Sequence, residues 1–196
     1  TIYYIIVKKS PDVKGEQLKK ANKAARRGLA KGRRNRYNSR KTNLLREEIS
    51  MEIRDFQPQD RQAYLDMAVD FYSGDASLFD VDMKKFEDTF NIGVKGSDLM
   101  RGLIITEGEQ YIGYALLAFY WSCEAGGFVV QAEELYFTPE TRGKGCGHRF
   151  FEWLFAAYPQ ARRFRLEVCP KNPQAKKLYS KLGFQDLDYA QMVLDR

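Results

Sequence analysis

Histidine and cysteine are scarce in this sequence, which contains one histidine, His148, and three cysteines among 196 residues. One histidine excludes a histidine-based catalytic triad and a metal site built from several histidines. The cysteines, Cys123, Cys146 and Cys169, are odd in number and lack metal-ligand spacing. Unpaired thiols are typical of a reduced compartment, so we expect a cytoplasmic protein without a bound metal.

Long apolar stretches are absent as well. No run approaches the roughly 18 residues that a membrane-spanning helix requires. The opening run Ile2–Val7 is too short for a signal-peptide core, and no small-residue cleavage site follows it. We therefore expect no membrane partner. A hydrophobic content of 44% in 196 residues instead indicates one globular domain that is large enough to bury a hydrophobic core.

Acidic residues are rare in the first part of the chain. Residues 1–50 hold 15 Lys and Arg against 4 Asp and Glu, whereas the remainder is net acidic. Three interpretations of this basic extension are open: an arm that binds nucleic acid, a solvated tail, or a segment outside the functional protein. We favour the third, because the residues from Met51 resemble a natural start and the chain begins with Thr1. A nucleic-acid partner is least favoured, since charge runs are usually solvated.

Residues 51–196 alternate strand and helix patterns in a way that is typical of an α/β (α+β) domain. The predicted order is strand, two helices, three strands, helix, strand, helix and a last strand or strand pair. The predicted strands are Met51–Phe56, Leu103–Thr106, Tyr111–Ser122, Phe128–Phe137, Phe164–Val168 and a region within Phe184–Leu194; the predicted helices are Pro58–Tyr72, one from Val81, His148–Ala157 and one from Pro173.

A glycine-rich turn, Arg142–Gly147 (RGKGCG), joins a buried strand to the N-terminus of a helix. Such a junction offers free backbone N–H groups and the positive end of a helix dipole, and its glycines leave room for a phosphate. The sequence fits neither a Walker loop, which needs Ser or Thr after the lysine, nor an early Gly-x-Gly-x-x-Gly dinucleotide turn. A tight turn without a ligand is the remaining alternative.

The turn resembles the pyrophosphate loop of the GNAT acetyltransferases, Arg/Gln-x-x-Gly-x-Gly/Ala, at every position. A second stretch, Asn172–Phe184 (NPQAKKLYSKLGF), resembles the other signature of that family, Asn-x-x-Ala-x-x-Leu-Tyr-x-x-x-Gly-Phe. The resemblance covers residues 51–196, which we therefore take as the acetyltransferase domain, and it does not cover residues 1–50. It implies a mixed, mostly antiparallel central sheet that is flanked by helices and splayed at an acetyl-CoA site.

The resemblance also implies how acetyl-CoA is held. Its pyrophosphate lies on the loop and its pantetheine follows the preceding strand, where backbone N–H groups near Phe137 polarise the thioester carbonyl. No metal takes part. The implied cofactor-binding residues are Leu135, Phe137, Arg142, Gly143, Lys144, Gly145, Cys146, Gly147 and Asn172.

Three residues are candidates for catalysis. The acceptor amine must lose a proton before it attacks, and a carboxylate can remove that proton. Simple strand alternation directs Glu133 and Glu134 to opposite faces and gives Glu133 the face of Leu135 and Phe137. Glu133 also matches the acidic position of polyamine-acetylating relatives, so it is preferred over Glu134. Either residue could instead pair with a surface arginine. Tyr179 matches the family tyrosine that protonates the departing thiolate, with a core aromatic as the alternative.

The acceptor is less well defined. In this family its site is formed by the first two helices and their loop, here Phe71–Phe90, where Asp75, Asp80 and Asp82 suggest an acidic mouth for a cationic amine. We expect an N-acetyltransferase that acts on a primary amine of a small cationic molecule, with a protein or peptide acceptor as an alternative. A module that binds CoA or nucleic acid without turnover is the rival class, and a homodimer is open.

Overall fold

The computed structural model describes residues 51–74 and 81–195. The basic extension, residues 1–50, and the acidic residues Asp75 and Asp80 lie outside the described residues, so the interpretations placed on them stay predictions. Within the described part, no helix is long and apolar enough to cross a membrane.

Nine regular elements succeed one another along the described residues, in the order strand, two helices, three strands, helix, strand and helix. The helix bounds follow local signals: Asp82 caps one helix through its carboxylate, and Asn172 caps another through its side-chain oxygen. The strands are β1 (Met51–Asp55), β2 (Met100–Glu107), β3 (Gln110–Ser122), β4 (Gly127–Phe137) and β5 (Arg163–Leu166); the helices are α1 (Arg61–Ser73), α2 (Met83–Lys95), α3 (Cys146–Ala157) and α4 (Pro173–Lys181).

The strands form one sheet in the order β1-β2-β3-β4-β5. All neighbours are antiparallel except β4 and β5, which are parallel. This parallel pairing joins only Val129–Ala132 to Arg163–Leu166. The rest of β4, from Glu133 to Phe137, has no strand partner on that side within the described residues, so the sheet is splayed there as the sequence analysis expected.

The sheet separates two hydrophobic layers. Alternate residues of one strand point to opposite faces, and Ile104 packs in one layer while Leu103 and Ile105 pack in the other. The α1–α2 face carries the first layer, and the α3–α4 face carries the second, which includes Phe150 and Phe151. Burying a side chain of this size contributes about 1.5–3 kcal/mol, so α3 is held by its apolar side.

The predicted last strand within Phe184–Leu194 is wrong for the described residues, where the chain has no regular structure after α4. Phe184 packs against Phe151, but the apolar residues beyond it are exposed, including Met192 at 97%. This segment is attached through side chains, by an ion pair between Lys176 and Asp186 and a hydrogen bond from Gln191 to Glu167. An alternating pattern predicts a strand only when one face is buried, and here neither face is.

Candidate functional site

A β-bulge interrupts β4 at Glu133. Leu116 pairs with Glu134 and Leu117 pairs with Ala132, which leaves Glu133 as an extra residue opposite β3. Ala132 and Leu135 therefore pack in the same layer although they are three positions apart. Bulges redirect side chains and are frequent beside active sites. The simple alternation assumed from the sequence does not hold here, and the bulge itself was not predicted.

Glu134 turns to the α1–α2 face, where two tyrosines hold its carboxylate. Tyr72 on α1 donates a hydrogen bond to Oε1 at 2.5 Å, and Tyr114 on β3 donates to Oε2 at 2.7 Å. Burial raises the pKa of the Glu134 carboxyl above its ordinary value, and the two hydroxyl donors act in the opposite direction by favouring the charged form. Each carboxylate oxygen keeps a further lone pair, so the group can accept more donors.

The tyrosines around this carboxylate are held in their protonated form. Burial raises the pKa of Tyr64, Tyr72 and Tyr114, and the negative charge of Glu134 raises all three further. Their hydroxyls therefore keep their protons at neutral pH, and those of Tyr72 and Tyr114 donate to the Glu134 carboxyl group. Tyr64, Tyr72, Tyr114 and Glu134 are called the tyrosine cluster below.

Glu133, on the bulge, is exposed. Its Oε2 accepts a hydrogen bond from Nε2 of Gln131 at 2.7 Å. It lines an open cleft whose other walls are β5, α4 and the segment after α4, and Tyr179 lines the same cleft. The structure thus brings two of the predicted catalytic residues, Glu133 and Tyr179, to one opening beside the splayed strands, while Glu134 lies on the α1–α2 face.

Tyr179 lies on α4 and packs its ring against two phenylalanines. The ring centres of Phe151 and Phe184 are 5.5 Å and 5.9 Å away. Burial raises the pKa of the Tyr179 hydroxyl, so it keeps its proton through the neutral range. The residue combines the packing role that the sequence left open with a protonated hydroxyl at the cleft.

The loop has the backbone of an anion site. Gly143 and Gly145 adopt left-handed backbone angles, with φ of 77° and 84°, which residues with a side chain rarely adopt. A Cβ at either position would meet no atom within 4 Å, so the space above the loop is open. Gly145 is the N-cap of α3 and offers no side chain, so the first-turn N–H groups of the helix lack a capping oxygen.

Cys146 faces inward from this loop. Its side chain is 4% exposed, its Sγ lies 3.7 Å from the carbonyl oxygen of Thr141, and Arg149 approaches it to 3.3 Å. Only the backbone of Cys146 is left to face a ligand. Gly147 permits close packing, because a Cβ there would lie 2.7 Å from Leu178 on α4.

The two basic side chains of the loop differ in their contacts with the rest of the protein. Lys144 is exposed to solvent. Arg142 folds back over the end of β4, where its Nε donates to the carbonyl oxygen of Phe137 at 2.9 Å and its guanidinium lies 5.4 Å from the ring centre of Tyr136. Its Nη2 is also 3.7 Å from a carboxylate oxygen of Asp70 on α1.

The remaining predicted cofactor residues lie on β4 and at the start of α4. Leu135 and Phe137 are partly buried against the α3–α4 layer and belong to the free edge of β4. Asn172 is exposed, and its side-chain oxygen accepts from the N–H of Ala175 at 3.0 Å. The capping role of Asn172 is thus present, and its contact with a cofactor stays a prediction.

Sequence reasoning missed the roles of Tyr72, Tyr136 and Asp70. Their contacts join elements distant in the chain, such as the 62 positions between Tyr72 and Glu134. Asp82, predicted as part of an acidic mouth, accepts from the N–H of Lys85 and so serves α2 as a cap. Among the residues that the structure describes, no group of three or more His, Cys, Asp or Glu side chains could hold a metal ion.

A sequence model of the acetyltransferase (GNAT) family matches residues 62–184. A thialysine N-epsilon-acetyltransferase from Sus scrofa is 33% identical over 87 residues, which are 43% of this chain. The chain spans about half the length of the curated relatives it matches, 51% in this case.

Solved structures share the fold at low sequence identity. A protein from Clostridium difficile 630, described as a possible acetyltransferase, has a TM-score of 0.63 at 17% identity, over 74% of this chain and 97% of that one. A predicted acetyltransferase with acetyl-CoA from Clostridium acetobutylicum has a TM-score of 0.61 at 20% identity, over 74% and 96%. The family match covers more than half of the chain and includes the loop, the bulged strand and α4, so this protein belongs to the acetyltransferase (GNAT) family.

Proposed function

We propose that this protein transfers the acetyl group of acetyl-CoA directly to the primary amine of a small cationic molecule. The observation that carries the proposal is the open glycine loop at the N-terminus of α3, beside the unpaired edge of β4. The loop supplies N–H donors for a pyrophosphate, and the strand edge supplies N–H and C=O groups for an extended amide chain such as pantetheine.

The chain's own residues provide the proton transfers. Glu133 takes a proton from the acceptor ammonium, directly or through water, so that the amine nitrogen can attack the thioester carbon. Backbone N–H groups near Phe137 stabilise the negative charge on the carbonyl oxygen. After the attack the nitrogen loses its remaining extra proton to solvent, the carbon–sulfur bond breaks, and Tyr179 gives its proton to the leaving thiolate and regains one from solvent. The products are an acetamide and free CoA.

Charge supports a cationic acceptor. Glu133 and Glu134 follow one another on β4, and within the described part of the chain the first carboxylate is exposed and the second is held by tyrosines. Neighbouring carboxylates produce a negative potential that attracts ammonium groups. The relatives named for the epsilon-amine of thialysine support an amine acceptor. We also retain a cytoplasmic location and a possible second copy as proposals that rest on the sequence.

An amine panel tests this function. The full chain is incubated with acetyl-CoA and one amine at a time, and release of free CoA thiol is measured with a thiol reagent. The panel compares pentane-1,5-diamine, pentylamine and 5-aminopentanoate, which share a primary amine and differ at the far end. We expect turnover that is fastest with the diamine. CoA binding without thiol release from any amine would instead indicate a binding module.

A further inference from the structure

We propose that Arg142 is a positioning residue that ties the cofactor loop to helix α1, and that it is not a ligand of the cofactor's phosphates. The effect of Arg142 on binding of the acceptor amine rests on the function proposed above. The proposal departs from the family resemblance, which implies that Arg142 binds the cofactor.

The contacts of Arg142 carry the proposal. One edge of its guanidinium is engaged by the protein: Nε donates to the carbonyl oxygen of Phe137 at 2.9 Å, and Nη2 lies 3.7 Å from Oδ2 of Asp70. The guanidinium also lies over the ring of Tyr136, 5.4 Å from its centre. Each contact draws the side chain toward β4 and α1.

Tyr136 and Asp70 close this group of contacts. The Tyr136 hydroxyl donates to the same Oδ2 of Asp70 at 2.6 Å. Burial raises the pKa of the Tyr136 hydroxyl, the hydrogen bond to Asp70 raises it further, and the positive charge of Arg142 lowers it. The resulting pKa is about 12, so the hydroxyl remains a donor. Arg142, Tyr136, Asp70 and the carbonyl of Phe137 are called the arginine clasp below.

The clasp connects the two halves of the site. Arg142 is the first residue of the loop, and Asp70 lies in the last turn of α1. Two residues further along α1, Tyr72 donates to Glu134 in the tyrosine cluster. The end of α1 is therefore fixed to β4 by two polar contacts, one beside the bulge and one beside the loop.

The ion pair within the clasp is partly exposed and would contribute little alone. A cation over an aromatic face and a hydrogen bond to a carbonyl add to it. The ion pair and the contact with the aromatic face both need the charge, so they are lost together when it is removed. The clasp then holds the end of α1 and the acceptor side that this helix helps to form. Phosphate binding is left to the backbone of the loop and to Lys144.

Arg142→Gln tests the proposal, because glutamine satisfies the loop motif and can still donate to the Phe137 carbonyl. In hydrogen exchange of the full chain without ligand, we expect faster exchange in the last turn of α1, residues 69–73. Lys144→Gln, the matched loss of one loop charge, should leave that exchange unchanged. This readout requires neither CoA binding nor turnover, so it stands apart from a failure of the proposed function.

Calorimetry with CoA and kinetics with pentane-1,5-diamine complete the test. For Arg142→Gln we expect a smaller loss of CoA affinity than for Lys144→Gln, with a fall in kcat/KM for the amine of about fivefold or more, as for other coupled sites. Asp70→Asn should repeat these effects, and the double variant should be less than additive. Unchanged exchange in α1, or a loss of CoA affinity as large as that of Lys144→Gln, would overturn the proposal.

Discussion

At the scale of single residues, two neighbouring glutamates have different surroundings. Glu133 is exposed at the cleft that Tyr179 also lines, whereas both oxygens of Glu134 accept hydrogen bonds from tyrosines. An exposed carboxylate at the opening is the more accessible proton acceptor for an incoming amine. This difference in surroundings supports the assignment of Glu133 as the base, and it yields a direct comparison of two isosteric variants.

Glu133→Gln keeps the shape of the side chain and removes its ability to accept the proton. We expect turnover near pH 7 to fall by about 10²- to 10⁴-fold, the usual contribution of a general base. Part of the rate should return toward about pH 10, where more of a free amine is already neutral. Rates measured over this pH range with one competent amine check the prediction. If Glu134→Gln is the variant that loses turnover in this way, the base is Glu134.

Tyr179→Phe removes one hydroxyl and keeps the ring that packs against Phe151 and Phe184. We expect turnover to fall by about 10²-fold or more, with little change in CoA affinity, because a general acid acts only on the leaving thiolate. Tyr158→Phe is the matched control, since its hydroxyl accepts from Arg101 away from the cleft. Turnover of Tyr179→Phe equal to that of the control would assign Tyr179 to packing alone.

The raised pKa of Glu134 predicts a pH dependence of stability. The folded state holds the Glu134 proton more tightly than the unfolded state, whose ordinary value is 4.5. Between that value and the raised one the folded state binds more protons, so the free energy of unfolding falls as pH increases. Glu134→Gln does not titrate, so the stability of the parent relative to this variant should fall as pH rises above the ordinary value of 4.5.

Urea unfolding of both proteins across this pH range measures the difference. Tyr72→Phe should steepen the fall, because it removes a hydrogen bond that favours the charged carboxylate. A relative stability of the parent that increases with pH would show that the carboxyl pKa is lowered rather than raised in the folded protein.

At the scale of elements, the parts of the site that depend on local chemistry were predictable from sequence. The glycine turn at Gly143 and Gly145 and the start of the helix after Asn172 are set by neighbouring residues, and the sequence placed both. The bulge at Glu133 was not predictable, because it depends on the register of β4 against β3. The tyrosine cluster and the arginine clasp depend on contacts between distant elements, which periodicity cannot indicate.

The loop and α3 act as one element in the proposed site, and Gly145→Glu tests it. A side chain at this left-handed position costs about 1–2 kcal/mol in backbone strain, and the added carboxylate repels a pyrophosphate. We expect CoA binding to be lost in a protein that remains folded by circular dichroism. Calorimetry that shows the parent affinity in this variant would exclude the loop as the binding site. Gly126→Glu, at an exposed turn with φ of 67°, is the matched control and should bind CoA normally.

At the scale of the whole molecule, the family match and the described fold both lie within residues 51–196. The fold class, the order of the first nine elements and the splayed strands were predicted from the sequence, and the last strand was not found. The prediction of that strand failed because an alternating pattern in Phe184–Leu194 does not reveal whether either face will be buried.

Removal of residues 1–50 tests the interpretation that the basic extension is separate from the activity. We expect a chain that begins at Met51 to retain kcat/KM within about threefold of the full chain, because both motifs and the described core are kept. A control at higher salt separates a general charge effect from a specific one, since salt screens exposed charges. A large loss of activity at both salt concentrations would assign the extension to the functional protein.

The central claim is that this fold transfers acetyl groups to an amine. Mass spectrometry of the amine after incubation with acetyl-CoA and the full chain measures that transfer directly. We expect N-acetylated pentane-1,5-diamine with the parent protein and none above background with Gly145→Glu. The absence of any acetylated amine with a parent protein that binds CoA, or equal product with both proteins, would contradict the account.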